Sequence, residues 1–325
     1  MYTFSDIIGQ DLIISHMQQA ISSNKVSHAY IIEGEIGMGK KLLANTFSKT
    51  LQCEKHGIEP CDTCESCLNF NHSNHPDIEY VIASNKTGYG VSDIREQVNN
   101  TLHIKPYSSQ YKIYIIDQAD SLTNQSQNAL LKTIEEPPSY GIIILLVANS
   151  QNLLATILSR CVKITVNSVA KPLILSYLKD REGLSEYDAN IYASFSRGNI
   201  GKAMQLYQDE SFKEMREFLI DIFDKIISKD TIGLLTAAKK MESYKDKINI
   251  IFDIMLSWLR DLMVLKTTKG EKYLIHLDKY KTLLKQSGYM SYNRISVLIE
   301  RIEETKSNFR LHANFQLSFE TLLLI

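Results

Sequence analysis

Five short apolar runs punctuate the first half of the chain, and helical periodicities fill the gaps between them. His28-Ala-Tyr-Ile-Ile-Glu33, Asp77-Ile-Glu-Tyr-Val-Ile82, Lys112-Ile-Tyr-Ile-Ile-Asp117, Gly141 to Val147 and Val162 to Val166 read as strands. Leu43, Phe47 and Leu51 recur every four residues and predict a helix behind the first strand. Ile94, Val98 and Leu102 predict another, with Ser92 as its cap and Pro106 beyond its end. A third starts at the capping position Thr123 and stops at Pro137-Pro138. Continuous apolar strands alternating with helices imply a parallel sheet covered on both faces.

From about Ala170 the strand signals fade and amphipathic helices continue to the last residue. The stretch from about Gln208 onward contains no proline. Ile250, Ile254, Trp258 and Leu262 form a helical stripe there, and Val297, Ile299 and Ile302 a looser one. Such stripes are first of all packing surfaces.

Composition changes this picture little. A hydrophobic share of 44% with 22% charged residues fits an ordinary globular protein of two or three domains. The net charge of -1 gives no global field for nucleic acid, though local patches stay open. The N-terminus lacks the basic and apolar segments of a signal peptide, and the longest apolar run, 141–148, is too short to cross a bilayer. A cytoplasmic protein is expected. Four of the five cysteines cluster as Cys53-x7-Cys61-x2-Cys64-x2-Cys67. In a cytoplasmic chain that spacing favours a closed structural zinc site over disulfides, free thiols or a redox pair. His56, His72 and His75 lie close by and are expected to be surface residues rather than ligands.

The chemistry-bearing segment is Gly34-Glu-Ile-Gly37-Met-Gly39-Lys40-Lys41, placed between a strand and a helix as G-x-x-x-x-G-K-[ST] requires. Its glycines let backbone N–H groups face phosphate, and Lys40 adds a point charge. The last position departs from the pattern. Lys41 stands where a hydroxyl would ligate Mg²⁺, so magnesium is not expected and ATP or ADP binding is left open. Asp117 ends the third strand and is followed by Gln118, which accepts no proton at neutral pH where a Glu would serve as base. Asp120 is expected to cap the next turn, and Asn149 is the candidate polar sensor after the fourth strand.

These stretches together resemble the bacterial clamp-loader family of AAA+ proteins. Phe4-Ser-Asp-Ile-Ile-Gly9-Gln10, His28-Ala-Tyr-Ile-Ile-Glu-Gly34, Asn128-Ala-Leu-Leu-Lys-Thr-Ile-Glu-Glu-Pro-Pro138 and Thr156-Ile-Leu-Ser159-Arg160-Cys161 carry the likeness. It covers about residues 1 to 207 by motif, and the rest by length and helical character. The resemblance implies an α/β AAA+ domain with a five-stranded parallel sheet over 1–167, with the zinc module inserted at about 53–67. A small helical lid over 168–207 and an all-α oligomerisation collar over 208–325 would follow.

Within the family, hydrolysing gamma/tau subunits keep Ser or Thr in the loop, Asp-Glu after the third strand and an arginine in the lid. Here Lys41, Gln118 and Gly201 fill those places, with Lys202 one position off. The three departures imply the delta-prime type, with no independent activity. By resemblance, Arg160 of the Ser159-Arg160-Cys161 motif would enter the ATP site of a neighbouring ATPase subunit. Read without the family, it is a surface salt-bridge arginine. The implied partners are the delta and gamma/tau subunits in a heteropentamer, with the sliding clamp and primed DNA reached through the assembly. The alternatives are an active gamma/tau-like ATPase using Asp120 as base, and a zinc-dependent DNA-binding protein.

Overall fold

The computed structural model describes residues 3–85, 88–268, 270–271, 273–309 and 314–324. Strands β1 (Ala29–Glu33), β2 (Ile78–Tyr80), β3 (Lys112–Ile116), β4 (Gly141–Val147) and β5 (Val162–Thr165) form one sheet in the order β2-β3-β4-β1-β5. Every neighbouring pair is parallel, with Ala29 opposite Ile143, Tyr30 opposite Val162, Ile113 opposite Ile142 and Ile78 opposite Ile113. All five expected strands exist. β2 is shorter than its apolar run, although Asp77 O still accepts Ile113 N and Val81 N still donates to Ile115 O beyond its two ends; the Asp77 carboxylate turns to the next connection. It accepts the N–H groups of Tyr107, Ser108 and Ser109 at 2.6, 2.9 and 3.0 Å.

The alternation of side chains along a strand divides the core in two. Ile31, Tyr114, Ile116, Ile143 and Leu145 face one layer, with Ile94, Val98, Leu102 and Leu130. Tyr30, Ile32, Ile113, Ile115 and Ile144 face the other, with Leu43, Phe47 and Met17. Tyr30 and Phe47 meet edge-to-face at 5.2 Å. Each fully buried side chain of this size contributes about 1.5–3 kcal/mol relative to exposure, so the periodicity that predicts the helices is also what fixes them to the sheet.

Thr123 caps the helix Asn124–Glu135 as expected, its hydroxyl accepting from Ser126 N at 3.1 Å. The helical run over 91–102 differs in its start. Gly90, not Ser92, is its cap, and the Asp93 carboxylate takes the Gly90 N–H at 2.8 Å. The acid at the third helical position takes the cap N–H, and Ser92 lies two residues inside the helix, past the cap position.

The residues up to Leu173, with Gly198–Lys202, form one compact unit. Ile174–Arg197 and the residues from Ala203 onward form a second, which among the described residues is entirely helical. Its core holds Phe212, Phe223, Phe252, Trp258 and Phe319, all fully buried. Helix Ile248–Thr268 buries Ile254, Trp258 and Leu262 of the expected stripe, while Ile250 is half-buried and Ile251 replaces it. In helix Tyr292–Phe309 the buried face is Ile295, Leu298 and Ile302 rather than Val297 and Ile299. Strict 3–4 spacing decides that face. Among the described residues no helix is long and apolar enough to cross a membrane.

Candidate functional site

β1 ends at Glu33, and the chain turns through Gly34 to Gly39 before helix Lys40–Leu51 begins. Gly37 and Gly39 hold φ of 90° and 89°, a left-handed conformation that favours glycine. Lys40 folds back over the loop, its Nζ 2.5 Å from Gly34 O and 3.1 Å from Glu35 O. Burial pulls its ammonium below the ordinary lysine range, against the raising influence of Asp117 and Asp120. A cavity of about 400 Å³ opens beside the loop, lined by Gly37, Gly39, Lys40, Lys41, Asp117, Gln118 and Asp120. Seven of the residues singled out in the sequence thus share one cavity, while Gly34 shapes the turn behind it.

The donor set there does not suit a magnesium ion. The position that should offer a hydroxyl carries Lys41, whose Nζ lies 3.9 Å from Asp117 Oδ2. Mg²⁺ takes oxygen ligands in a tight octahedron, and an ammonium repels it. Gln118 occupies a left-handed turn (φ 50°), its N–H given to Asp117 Oδ1 at 2.9 Å. Tyr89 supports the same corner by donating to Asp117 O at 2.6 Å. Asp120 does not cap its turn. Its Oδ1 accepts Ala148 N at 3.3 Å, because the turn Ala119–Ser121 already has Gln118 O as acceptor for Ser121 N and Oγ.

Asn149 is exposed two residues beyond β4, and its Oδ1 accepts Gln151 N at 2.9 Å, capping the turn Ser150–Asn152. Ala148 lines the cavity at this strand end. Gly201 lies against the loop itself. Its N–H donates to Gly37 O at 3.0 Å, and a Cβ there would stand 2.5 Å from that oxygen. Buried Asn199 holds the contact, giving Nδ2 to Ile36 O at 2.8 Å and accepting Lys202 N at 3.0 Å.

Arg160 sits between the short helix Ala155–Leu158 and the edge strand β5, with its side chain 40% exposed. Its guanidinium reaches Glu135 at 3.0 Å, Thr156 O at 3.0 Å and Ser159 Oγ at 3.2 Å. Cys161 packs half-buried against the sheet, and burial pushes its thiol up to about 12. It lies outside the cysteine cluster.

Cys53 follows helix Lys40–Leu51, and Cys64 caps helix Glu65–Asn71. The sulfurs of Cys53, Cys61, Cys64 and Cys67 all lie within 4.8 Å of one another, a grouping able to hold one metal ion. Backbone N–H groups of Cys64 and Cys67 point at the Cys61 and Cys64 sulfurs at 3.3 and 3.4 Å; hydrogen bonds from Thr63 and Cys64 hold the Cys61 thiol down at about 5, while burial pushes those of Cys53 and Cys67 up. His56 and His72 are exposed as expected. His75 is not. It is buried, with Nε2 3.0 Å from Ser66 Oγ, Nδ1 accepting Asp77 N at 3.1 Å, and burial lowering its pKa.

Two supports escape a linear reading. Glu33 joins Lys163 at 2.7 Å and Ser150 N at 2.7 Å, pinning β1, β5 and the turn after β4 together. Desolvation acts to raise its carboxyl, but these partners hold it down at about 2. Lys49, fully buried, pairs with Asp62 and with Asn71 at 2.8 Å, tying the loop helix to the cysteine loop. No spacing in the sequence pointed to this, since Lys49 falls off the Leu43, Phe47 and Leu51 face of its helix.

A phosphate loop after β1 of a five-stranded parallel sheet in this order, joined to a helical unit, defines a P-loop protein of the AAA+ class. Sequence comparison places it further. The model described as "DNA polymerase III, delta subunit" matches residues 9–170, and "DNA polymerase III, delta subunit, C terminal" matches 210–325. The chain belongs to the clamp-loader subunit family of DNA polymerase III. It is 37% identical over 63% of its length to the tau/gamma subunit of Haemophilus influenzae, of which it covers 30%. It is 31% identical over 93% of its length to the tau subunit of Bacillus subtilis, of which it covers 58%. With the delta' subunit of B. subtilis it shares 26% identity, over 97% of this chain and 95% of that one. The chain therefore spans less than two thirds of these two tau-type relatives. Among solved structures, a gamma subunit-related protein of Thermotoga maritima aligns over 95% and 97% of the two chains, with a TM-score of 0.44 and 18% identity.

Proposed function

We propose that this chain is a non-hydrolysing, delta-prime type subunit of the bacterial clamp loader. The observation that carries the reading is Lys41 in the metal-ligand place together with Gln118 in the place of the base, both lining the loop cavity. In this reading the protein works in the cytoplasm in a heteropentamer with delta and gamma/tau subunits. Residues 168–207 act as the lid and 208–325 as the collar that joins the subunits. Zinc, held by the four clustered cysteines, keeps the insertion folded. The assembly engages the sliding clamp and primed DNA.

Arg160 is the residue through which the chain acts. Its exposed guanidinium stands at a sheet edge, tethered by weak exposed contacts that an incoming phosphate can outcompete. Supplied to the ATP site of a neighbouring subunit, it stabilises charge on the transferring phosphoryl group. Such arginines are worth on the order of 10³ to 10⁵ in rate. In a reconstituted loader Arg160→Ala is expected to depress DNA-stimulated ATPase and clamp loading while subunits still assemble. Wild-type loading by the variant complex would falsify the assignment.

The greater local identity to tau/gamma subunits favours a second reading, an active ATPase. Turnover by the isolated chain that Lys40→Ala abolishes would select it.

A further inference from the structure

We propose that the ammonium of Lys41 is a built-in substitute for the divalent cation, so that the loop cavity takes the polyphosphate of a nucleotide without a metal ion. The inference rests on reading the cavity as a phosphate site, and it concerns how that site is charged.

A phosphate loop of this type works with inward backbone N–H groups, a lysine, and a cation held between a hydroxyl and a strand-end acid. The glycines that permit the first, Gly37 and Gly39, hold the left-handed conformation here, and the lysine, Lys40, lies over the loop on Gly34 O. The third is rebuilt. Lys41 Nζ lies 3.9 Å from Asp117 Oδ2, the acid that would otherwise face the metal, and 5.1 Å from the ring centroid of Tyr80. Tyr80 is steadied by its hydroxyl on Asn45 Oδ1, one helical turn beyond Lys41 on the same helix. The ammonium, on a side chain 60% exposed, therefore stands between a carboxylate and an aromatic face at the cavity wall, two environments that both favour a cation.

The charges follow from this. Lys40 and Lys41 balance Asp117 and Asp120 around the cavity. A metal arriving with a nucleotide would meet Lys41 instead of a hydroxyl, whereas bare phosphate oxygens meet the ammonium groups of Lys40 and Lys41, with the Asp117 carboxylate already paired by Lys41. Gln118 accepts no proton, so the bound nucleotide is held and not hydrolysed.

The test is binding of fluorescent ADP to the full chain, in EDTA and in Mg²⁺, with Mn²⁺ paramagnetic resonance as a second readout. Expected is an affinity that changes less than twofold on removing metal, abolished by Lys40→Ala, with no protein-bound Mn²⁺ signal. Lys41→Thr, which restores the hydroxyl, is expected to lose at least tenfold in EDTA, to recover in Mg²⁺ and to bind Mn²⁺ with ADP. Lys41→Met should lose the EDTA affinity without recovery. Tenfold tighter binding in Mg²⁺ by the unaltered chain overturns the proposal, and so does the absence of millimolar binding in either condition. Neither failure touches the role of Arg160, because a chain that binds no ADP can still supply that arginine. Loss of the Arg160 effect would leave the ADP result standing.

Discussion

Gly201 offers a substitution whose sign distinguishes tertiary contact from local propensity. It lies in the first turn of helix Ile200–Gln208, where Gly→Ala ordinarily stabilises by up to about 1 kcal/mol. Its surroundings oppose that gain. A Cβ at 201 would stand 2.5 Å from Gly37 O and 2.6 Å from Gly37 Cα, both backbone atoms of the phosphate loop. Relieving the clash costs about 1–3 kcal/mol as overpacking. Stretching the Gly201 N–H contact to Gly37 O, now 3.0 Å, adds about 0.5–1.5 kcal/mol. Against a propensity gain of about 1 kcal/mol, the net effect is a destabilisation of about 0.5–3.5 kcal/mol. Gly288 in helix Tyr280–Tyr289 supplies the control, since a Cβ there meets nothing within 4 Å. Gly288→Ala should stabilise. Urea unfolding followed by circular dichroism reads both units, while the fluorescence of Trp258, the one tryptophan, reads the helical unit alone. Taking a loss of about 2 kcal/mol and a slope of about 2 kcal/mol per molar urea, Gly201→Ala should lower the dichroism midpoint by roughly 1 M. A midpoint raised as in Gly288→Ala would refute the packing argument.

Further outcomes follow from the cysteine cluster and the buried charges. The purified chain should carry one zinc, measured by atomic emission, and Cys61→Ser or Cys64→Ser should release it and unfold the insertion; metal-free wild-type protein of unchanged stability would contradict the structural role. Asp62→Ala leaves the fully buried Lys49 ammonium without its carboxylate and should cost about 3–5 kcal/mol, read by urea midpoint. Because the Glu33 carboxyl is held at about 2 in the fold against 4.5 ordinarily, its contribution is complete above about 4.5 and is lost as pH falls toward 2. Acid titration of stability should therefore steepen in that window, and Lys163→Met should flatten it.

The strands and helices of the first unit were legible because burial on both faces writes itself as unbroken apolar runs, and helices as spacing of three and four. The phosphate loop, the lysine at its position 41 and the four cysteines were legible for a related reason. Their chemistry depends on short spacings that the chain itself sets. The sequence did not show which atoms converge from distant segments. That His75 is a core residue, that Asn149 caps a turn, and that Asp120 reaches Ala148 depend on which neighbours the folded chain provides. The pairing of Glu33 with Lys163, 130 positions along the chain, exists only once β5 lies beside β1. Lys41 shows both kinds of information at once. Sequence alone made it a missing hydroxyl, and only the tertiary placement of Asp117 and Tyr80 around its ammonium made it a cation with a site, because electrostatic roles are fixed by distance in space.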